Sequence, residues 1–377
     1  MRVEQRIWRE SEGWNQVGPP LGQNAHFVLI FGERELLAQD FLLAAVRERY
    51  PGARLMGCST AGEICDTRVF DRSIVTTAVA FDSTYVHCAQ IDLADEGDSR
   101  TAGTKLAAAL PSEQLVHVFV LSDGLAVNGS DLVRGLASGL PSGVGLTGGL
   151  SGDGARFQQT LVCLDGAPTP RRVAALGLYG SRLRVGCGSL GGWDSFGPER
   201  LVTRSDGNVL FELDGQSALG LYKKYLGEHA AGLPATALHF PLAVRVGEAE
   251  PVVRTILGVD EQAQCMTFAG DVPQGAFARL MKANFERLID GASGAARACQ
   301  TSLRDARADL AILISCVGRK LVLKQRVEEE VESVREVLGA ATALTGFYSY
   351  GEISPFTPSA RCELHNQTMT ITTLSEH

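Results

Sequence analysis

Leu344-Thr-Gly-Phe-Tyr-Ser-Tyr-Gly-Glu-Ile-Ser-Pro355 decides how this chain reads, because Leu55-Met-Gly-Cys-Ser-Thr-Ala-Gly-Glu-Ile64 repeats its pattern far upstream. Both follow Leu-x-Gly-x-x-x-x-Gly-Glu-Ile at identical spacing. A glycine at each end points to a backbone that needs positive φ or the close approach of another group. The glutamate that follows sits where the backbone turns. Glu63 and Glu352 then have two readings. Each can lock its own loop by accepting local N–H groups, or the two can converge on one pocket through pseudo-symmetry.

Working outward, 26–31 is a short apolar run of the kind a doubly buried strand makes. A helix is expected over 33–50, with Leu37, Phe41 and Ala45 on one face, and Pro51-Gly52 ends it. A short strand at 54–56 feeds the first Gly-Glu-Ile loop. The order recurs as a strand at 116–121, a helix at about 130–140 and the loop Gly145-Leu-Thr-Gly-Gly-Leu-Ser-Gly-Asp-Gly154. Ile30 and Gly57 are 27 residues apart, as are Leu121 and Gly148. The third copy runs from a strand at 310–315 through a helix at 323–338, with Val327, Val331, Val334 and Leu338 on one face. It ends in the loop quoted first. Locking is the favoured reading, but the middle loop carries Ser151-Gly152-Asp153 where the others carry Gly-Glu-Ile, so the unit folds without that glutamate, which weakens a strictly structural need for Glu63 and Glu352.

Each loop is followed by alternating segments expected to pair as antiparallel hairpins: 73–81 with 85–91, 158–164 with 173–179, and 362–373. The fold class is therefore α/β (mixed α+β), with repeated strand–helix–strand–loop units on mixed sheets. A Gly-rich stretch over 186–199 marks the boundary between two related domains, 1–190 and 191–377. The second domain is expected to open with a strand at 201–205 and a helix at 216–226. A strand over 237–246 and a helix over 277–289 follow.

Composition narrows the function. A chain of 377 residues, 45% hydrophobic, has ample core. Mean hydropathy is near zero. A net charge of −8 without a basic run argues against nucleic-acid binding. The charged N-terminus lacks a signal core, and no apolar run reaches the roughly 18–20 residues of a membrane span. Nine scattered cysteines without a C-x-x-C pair fit a reduced, cytoplasmic protein and no zinc site.

Several tempting motifs fail on context. Gly143-Val-Gly145-Leu-Thr-Gly148 matches G-x-G-x-x-G but follows a helix and leads into a strand, the reverse of a dinucleotide site. Ser59 lacks the spacing of a nucleophile elbow. Ser59 and Thr60 are read as bonding within the loop or to a ligand. Cys58 stands as a nucleophile only if a histidine comes near in space. Among seven histidines, His239 and His365 are the ligand-facing candidates.

Gly57-Cys-Ser-Thr-Ala-Gly-Glu-Ile64 resembles the signature of the N-terminal FIST domain. Ile314-Ser-Cys-Val-Gly-Arg319, Gly346-Phe-Tyr-Ser-Tyr-Gly-Glu-Ile353 and Leu364-His-Asn-Gln-Thr-Met369 resemble the C-terminal FIST domain. Arg204-Ser-Asp-Gly-Asn208 and Phe240-Pro-Leu242 fit the regions between, so the resemblance spans nearly the whole chain. It implies a bacterial, intracellular sensory protein that binds a small ligand, such as an amino acid, in a pocket lined by the Gly-Glu-Ile loops. Ser59, Thr60, Glu63, Asp123, Tyr348, Ser349, Tyr350, Glu352, His365 and Asn366 are the expected lining. The signal would pass to a separate histidine kinase, diguanylate cyclase or phosphodiesterase. One branch of the family consists of haem-bearing nitric-oxide sensors acting on histidine kinases, which adds haem ligated by His239 or His365 as an alternative. An enzyme using Glu63 and Glu352, or Cys58, is the other.

Overall fold

The computed structural model describes residues 1–303, 306–355 and 361–376. Three six-stranded sheets share one design. In the first, Phe27–Gly32 and Arg54–Ser59 run parallel, joined by a crossover containing the helix Asp40–Arg49. In the second, Leu115–Ser122 and Gly145–Leu150 are parallel around Gly129–Gly139. In the third, Leu310–Cys316 and Ala343–Ser349 are parallel around Val327–Leu338. A long antiparallel strand flanks each parallel pair on its other side: Ser73–Ala80, Arg172–Tyr179 and Met369–Glu376. The mixed α/β class and the threefold repeat are thus present.

The expected hairpins are not. Ser73–Ala80 is buried at all eight positions because it lies between Phe27–Gly32 and Arg2–Arg9 in the first sheet. Tyr85–Asp92 instead pairs with Arg172–Tyr179 in the second sheet. Alternation reports a half-buried strand, not its partner. The segment after each Gly loop leaves its own sheet entirely. Glu63–Cys65, from the first unit, completes the third sheet beside Ala343–Ser349. Val162–Leu164, from the second unit, pairs with Arg54–Ser59 in the first. Gly351–Pro355, from the third, pairs with Gly145–Leu150 in the second. The exchange is cyclic.

A glycine at the equivalent position of each unit lets its two parallel strands lie close. A Cβ on Gly57, Gly148 or Gly346 would lie 2.3, 2.0 or 1.8 Å from the carbonyl oxygen of Ile30, Val120 or Leu313 on the adjoining parallel strand. Inside, all three sheets contribute to one apolar core containing Phe31, Phe119, Leu121, Ile314 and Phe347. The Phe31 and Phe347 ring centroids lie 4.7 Å apart.

A fourth sheet is built from 194–282, including Leu242–Arg245, Val252–Arg254 and Phe277–Lys282. The helix expected over 277–289 is a strand, Phe277–Lys282, followed by the helix Phe285–Ser302, which Asn284 caps. Residues 277–280 alternate exposed Phe277, buried Ala278, half-buried Arg279 and buried Leu280, a period-2 start that the apolar count alone obscured. The helix expected over 33–50 splits into Arg34–Leu37 and Asp40–Arg49, leaving Phe41 59% exposed. The one expected over 323–338 begins at Val327, because Lys324 turns left-handed at φ 52° and ends a separate helix, Val317–Leu323. The 362–373 segment is broken at Gln367, φ 63°, into Cys362–His365 and Met369–Glu376. In the 237–246 segment a 3₁₀ turn, Ala235–His239, precedes the strand Leu242–Arg245.

Candidate functional site

The ten residues expected to line a pocket are all buried, and most serve to fasten the three loops. Glu63 accepts hydrogen bonds from the Thr60 hydroxyl and, at 2.6 Å, from Ser73 Oγ. Glu352 accepts from Ser349 Oγ at 2.7 Å and from the Thr368 hydroxyl and amide at 2.9 and 3.2 Å. Each carboxyl thus takes one hydroxyl from three residues back and one from the segment that follows. Burial pushes both up to about 8, so both are protonated at neutral pH. This is the locking arrangement. Sheet register also corrects the middle copy. Val162 lies opposite Cys58 as Glu63 lies opposite Phe347 and Glu352 opposite Gly149, so Val162, not Asp153, holds the glutamate's place.

Ser59 Oγ accepts from Leu161 N at 2.8 Å. Asp123 accepts from the amides of Leu125, Ala126 and Arg171 and so fixes the turn after its strand. Tyr348 and Tyr350 go separate ways, although residues two apart in a strand share a face, because the strand Ala343–Ser349 ends between them. The Tyr348 hydroxyl donates to Glu330 at 2.7 Å, whereas Tyr350 stacks on Phe157 and reaches the Gly154 carbonyl. His365 is buried, its Nε2 donating to the Ser354 carbonyl at 2.8 Å, and burial pulls its pKa down to about 4. Asn366 Oδ1 and both polar atoms of the Gln367 side chain are buried without a hydrogen-bond partner.

A space that a small molecule could enter lies apart from these residues. A cleft of about 860 Å³ runs between the helix Gly129–Gly139 with its following loop, the fourth-sheet strands Leu242–Arg245 and Val252–Arg254, and the strand Cys362–His365. Ser130, Val133, Arg134 and Ala137 present one face of the helix to it. Opposite stands Arg254, 5% exposed, whose Nη1 donates to the Leu364 carbonyl at 2.8 Å and whose Nε donates to the Asp271 carbonyl at 3.1 Å. None of the ten expected residues lines this cleft. The sequence signal was present in Val252-Val-Arg-Thr-Ile256, where a lone arginine interrupts an apolar strand.

Donor chemistry bears on haem and on a thiol nucleophile. No histidine lines the cleft. Its one thiol, Cys362, donates to the Leu146 carbonyl and is pushed well up by burial, which opposes thiolate ligation. His239 lies on the turn Ala235–His239, where burial and then the charges of Lys324 and His229 lower its pKa. The residues at the cleft do not fit an axially ligated haem. Cys58 is fully buried and its thiol is raised well above the ordinary value, so it is not poised as a nucleophile. Among the described residues, no group of three or more His, Cys, Asp or Glu could hold a metal. Nor is any helix there long and apolar enough to cross a membrane.

A threefold strand exchange, loops closed on buried glutamates and a cleft beside the fourth sheet together make up a mixed α/β assembly. The family comparisons agree: the FIST N domain matches residues 26–216 and the FIST C domain residues 218–355, so the chain belongs to the FIST family. FIST domains are sensory signal-transduction domains. No curated protein matches the chain. Among solved structures, a cyanuric acid hydrolase from A. caulinodans is similar over 78% of this chain and 99% of its own, at 12% identity and a TM-score of 0.18, too low to carry an argument.

Proposed function

We propose that this protein is an intracellular sensor whose small ligand occupies the cleft between Gly129–Gly139, the inserted sheet and Cys362–His365. One observation carries the reading. Cys362, Glu363 and Leu364 wall the cleft, and their strand, Cys362–His365, pairs with Gly351–Pro355, so a molecule in the cleft bears on the strand that carries Gly351-Glu352-Ile353. The loops thereby become the element that responds, and the cleft the element that binds. Occupancy shifts a conformational equilibrium that a separate histidine kinase or cyclic-nucleotide enzyme reads.

Ala137 is exposed and faces the cleft, so Ala137→Trp fills it without touching the core. The standard amino acids, screened by thermal shift, are expected to include ligands that stabilise the wild type and not this variant. Hydrogen exchange should slow at 351–355 and 362–365 when such a ligand binds. Equal stabilisation of Ala137→Trp would place the site elsewhere. A stoichiometric Soret band on adding haemin, unchanged in Ala137→Trp, would restore the haem reading.

A further inference from the structure

Arginine is almost never buried without a carboxylate, because the low dielectric leaves its charge uncompensated. At the other buried arginine among the described residues the rule holds. Arg319, fully buried, meets Glu330 at 2.7 Å. Arg254 departs from it. Its hydrogen bonds go to two backbone carbonyls, those of Leu364 and Asp271, and no carboxylate stands within ion-pair distance among the described residues. The nearest acidic charges, Glu363 and Asp271, act on it only at longer range, and Asp271 is already engaged by Arg134 at 2.8 Å and by Asn128. Burial accordingly pulls the guanidinium down to about 10.

A second group across the cleft has the same character. Ser130 is 6% exposed, lines the cleft, and its Oγ is buried without any hydrogen-bond partner. It stands in the first turn of Gly129–Gly139, an eleven-residue helix whose dipole places partial positive charge there. Arg100 and Arg361 also line the cleft. Between these polar groups, Val133, Val244, Val252 and Leu364 offer apolar wall.

Resting on the cleft as the ligand site, we propose that the ligand is a small oxyanion, a carboxylate or phosphate carrying an apolar remainder, clamped between the Arg254 guanidinium and the Ser130 hydroxyl. The anion supplies the charge partner that Arg254 lacks and the acceptor that Ser130 Oγ lacks. The guanidinium is tied to the Leu364 carbonyl, so anion binding at Arg254 is felt on the strand that pairs with the Glu352 loop.

Isovalerate, isovaleramide and inorganic phosphate, titrated by calorimetry and thermal shift, test the clamp. Isovalerate or phosphate should bind the wild type and raise its Tm, and the neutral amide should bind at least about tenfold more weakly than isovalerate. Comparing isovalerate with phosphate separates a carboxylate ligand from a phosphate one. Arg254→Gln should lose at least about tenfold in anion affinity while its unliganded Tm holds or rises, since a buried unpaired cation is removed. Ser130→Ala should weaken binding severalfold without loss of fold. A purely structural Arg254 predicts the reverse pattern, a lower Tm with anion binding intact, and that result overturns the clamp. Failure of both anions to bind does the same. Anion binding lost in Ala137→Trp but kept in Arg254→Gln and Ser130→Ala would refute the clamp and leave the cleft standing. Binding unchanged in all three variants would refute both.

Discussion

Glu63 and Glu352 carry a cost that depends on pH. Burial holds each carboxyl at about 8, against an ordinary value of 4.5. Below the ordinary value, folded and unfolded chains both keep the proton. Between there and about 8 the unfolded chain loses it while the folded chain retains it, so stability falls as pH rises. Above that the full penalty is in place. Glutamine imitates the protonated carboxyl, able to accept from the Thr60 hydroxyl with its oxygen and donate to the Ser73 hydroxyl with its amide. Glu63→Gln should therefore gain on the wild type as pH climbs from about 5 to about 9, by at most about 1.4 kcal/mol per pH unit. Parallel plots of Tm against pH for the two proteins would show that Glu63 does not titrate in this window. The motif containing these residues was legible in sequence because its spacing repeats. Their buried, protonated state was not, because it comes from burial in the assembled fold, against hydroxyls such as Ser73 and Thr368 that pull each carboxyl back down.

At the level of elements, Val317–Leu323 and Val327–Leu338 are joined by a fully buried ion pair. Arg319 Nε and Nη2 reach Glu330 Oε2 at 3.0 and 2.7 Å, and Nη2 also donates to the Leu288 carbonyl. Its Nη1 donates to the Gly191 carbonyl, while Ser315 Oγ and the Tyr348 hydroxyl donate to Glu330 Oε1 at 3.0 and 2.7 Å. The network fastens three helices, the strand that precedes a Gly-Glu-Ile loop, and the entry to the fourth sheet. Removing one partner strands a charge, so Glu330→Ala should cost about 3–5 kcal/mol in urea unfolding. Replacing both, as Arg319→Met with Glu330→Leu, should cost less than the single change. A Glu330→Ala loss under about 1 kcal/mol would show that water reaches the arginine. Sequence periodicity found Val327–Leu338 because its face is broad and regular. It missed the strand Phe277–Lys282, where six residues of mixed size admit either period, and only pairing with Asp194–Asp206 and Leu242–Arg245 decides between them.

On the scale of the whole molecule, the sequence shows three similar units but conceals how they interlock, because strand exchange lies in long-range pairing that local pattern does not encode. A division after residue 190 looks natural from the Gly-rich composition that follows. Yet Leu183–Leu190 pairs along its length with Met369–Glu376, and Glu63–Cys65 pairs with Ala343–Ser349. Gly145–Leu150 in turn needs Gly351–Pro355. A fragment of residues 1–190 therefore exposes the edge of Gly145–Leu150 and leaves its other two donated strands without a sheet, and 191–377 loses strands on both sides of its parallel pair. Unpaired edges of this kind aggregate rather than fold. Neither fragment alone should show a cooperative thermal transition, whereas the two co-expressed should purify together and unfold in one transition near that of the intact chain. Independent cooperative melting of residues 1–190, by calorimetry and near-ultraviolet dichroism, would mean that the exchanged strands are ornaments on a self-sufficient unit. In that case the cleft, whose walls come from both fragments, could not transmit occupancy through Cys362–His365 to the rest of the fold.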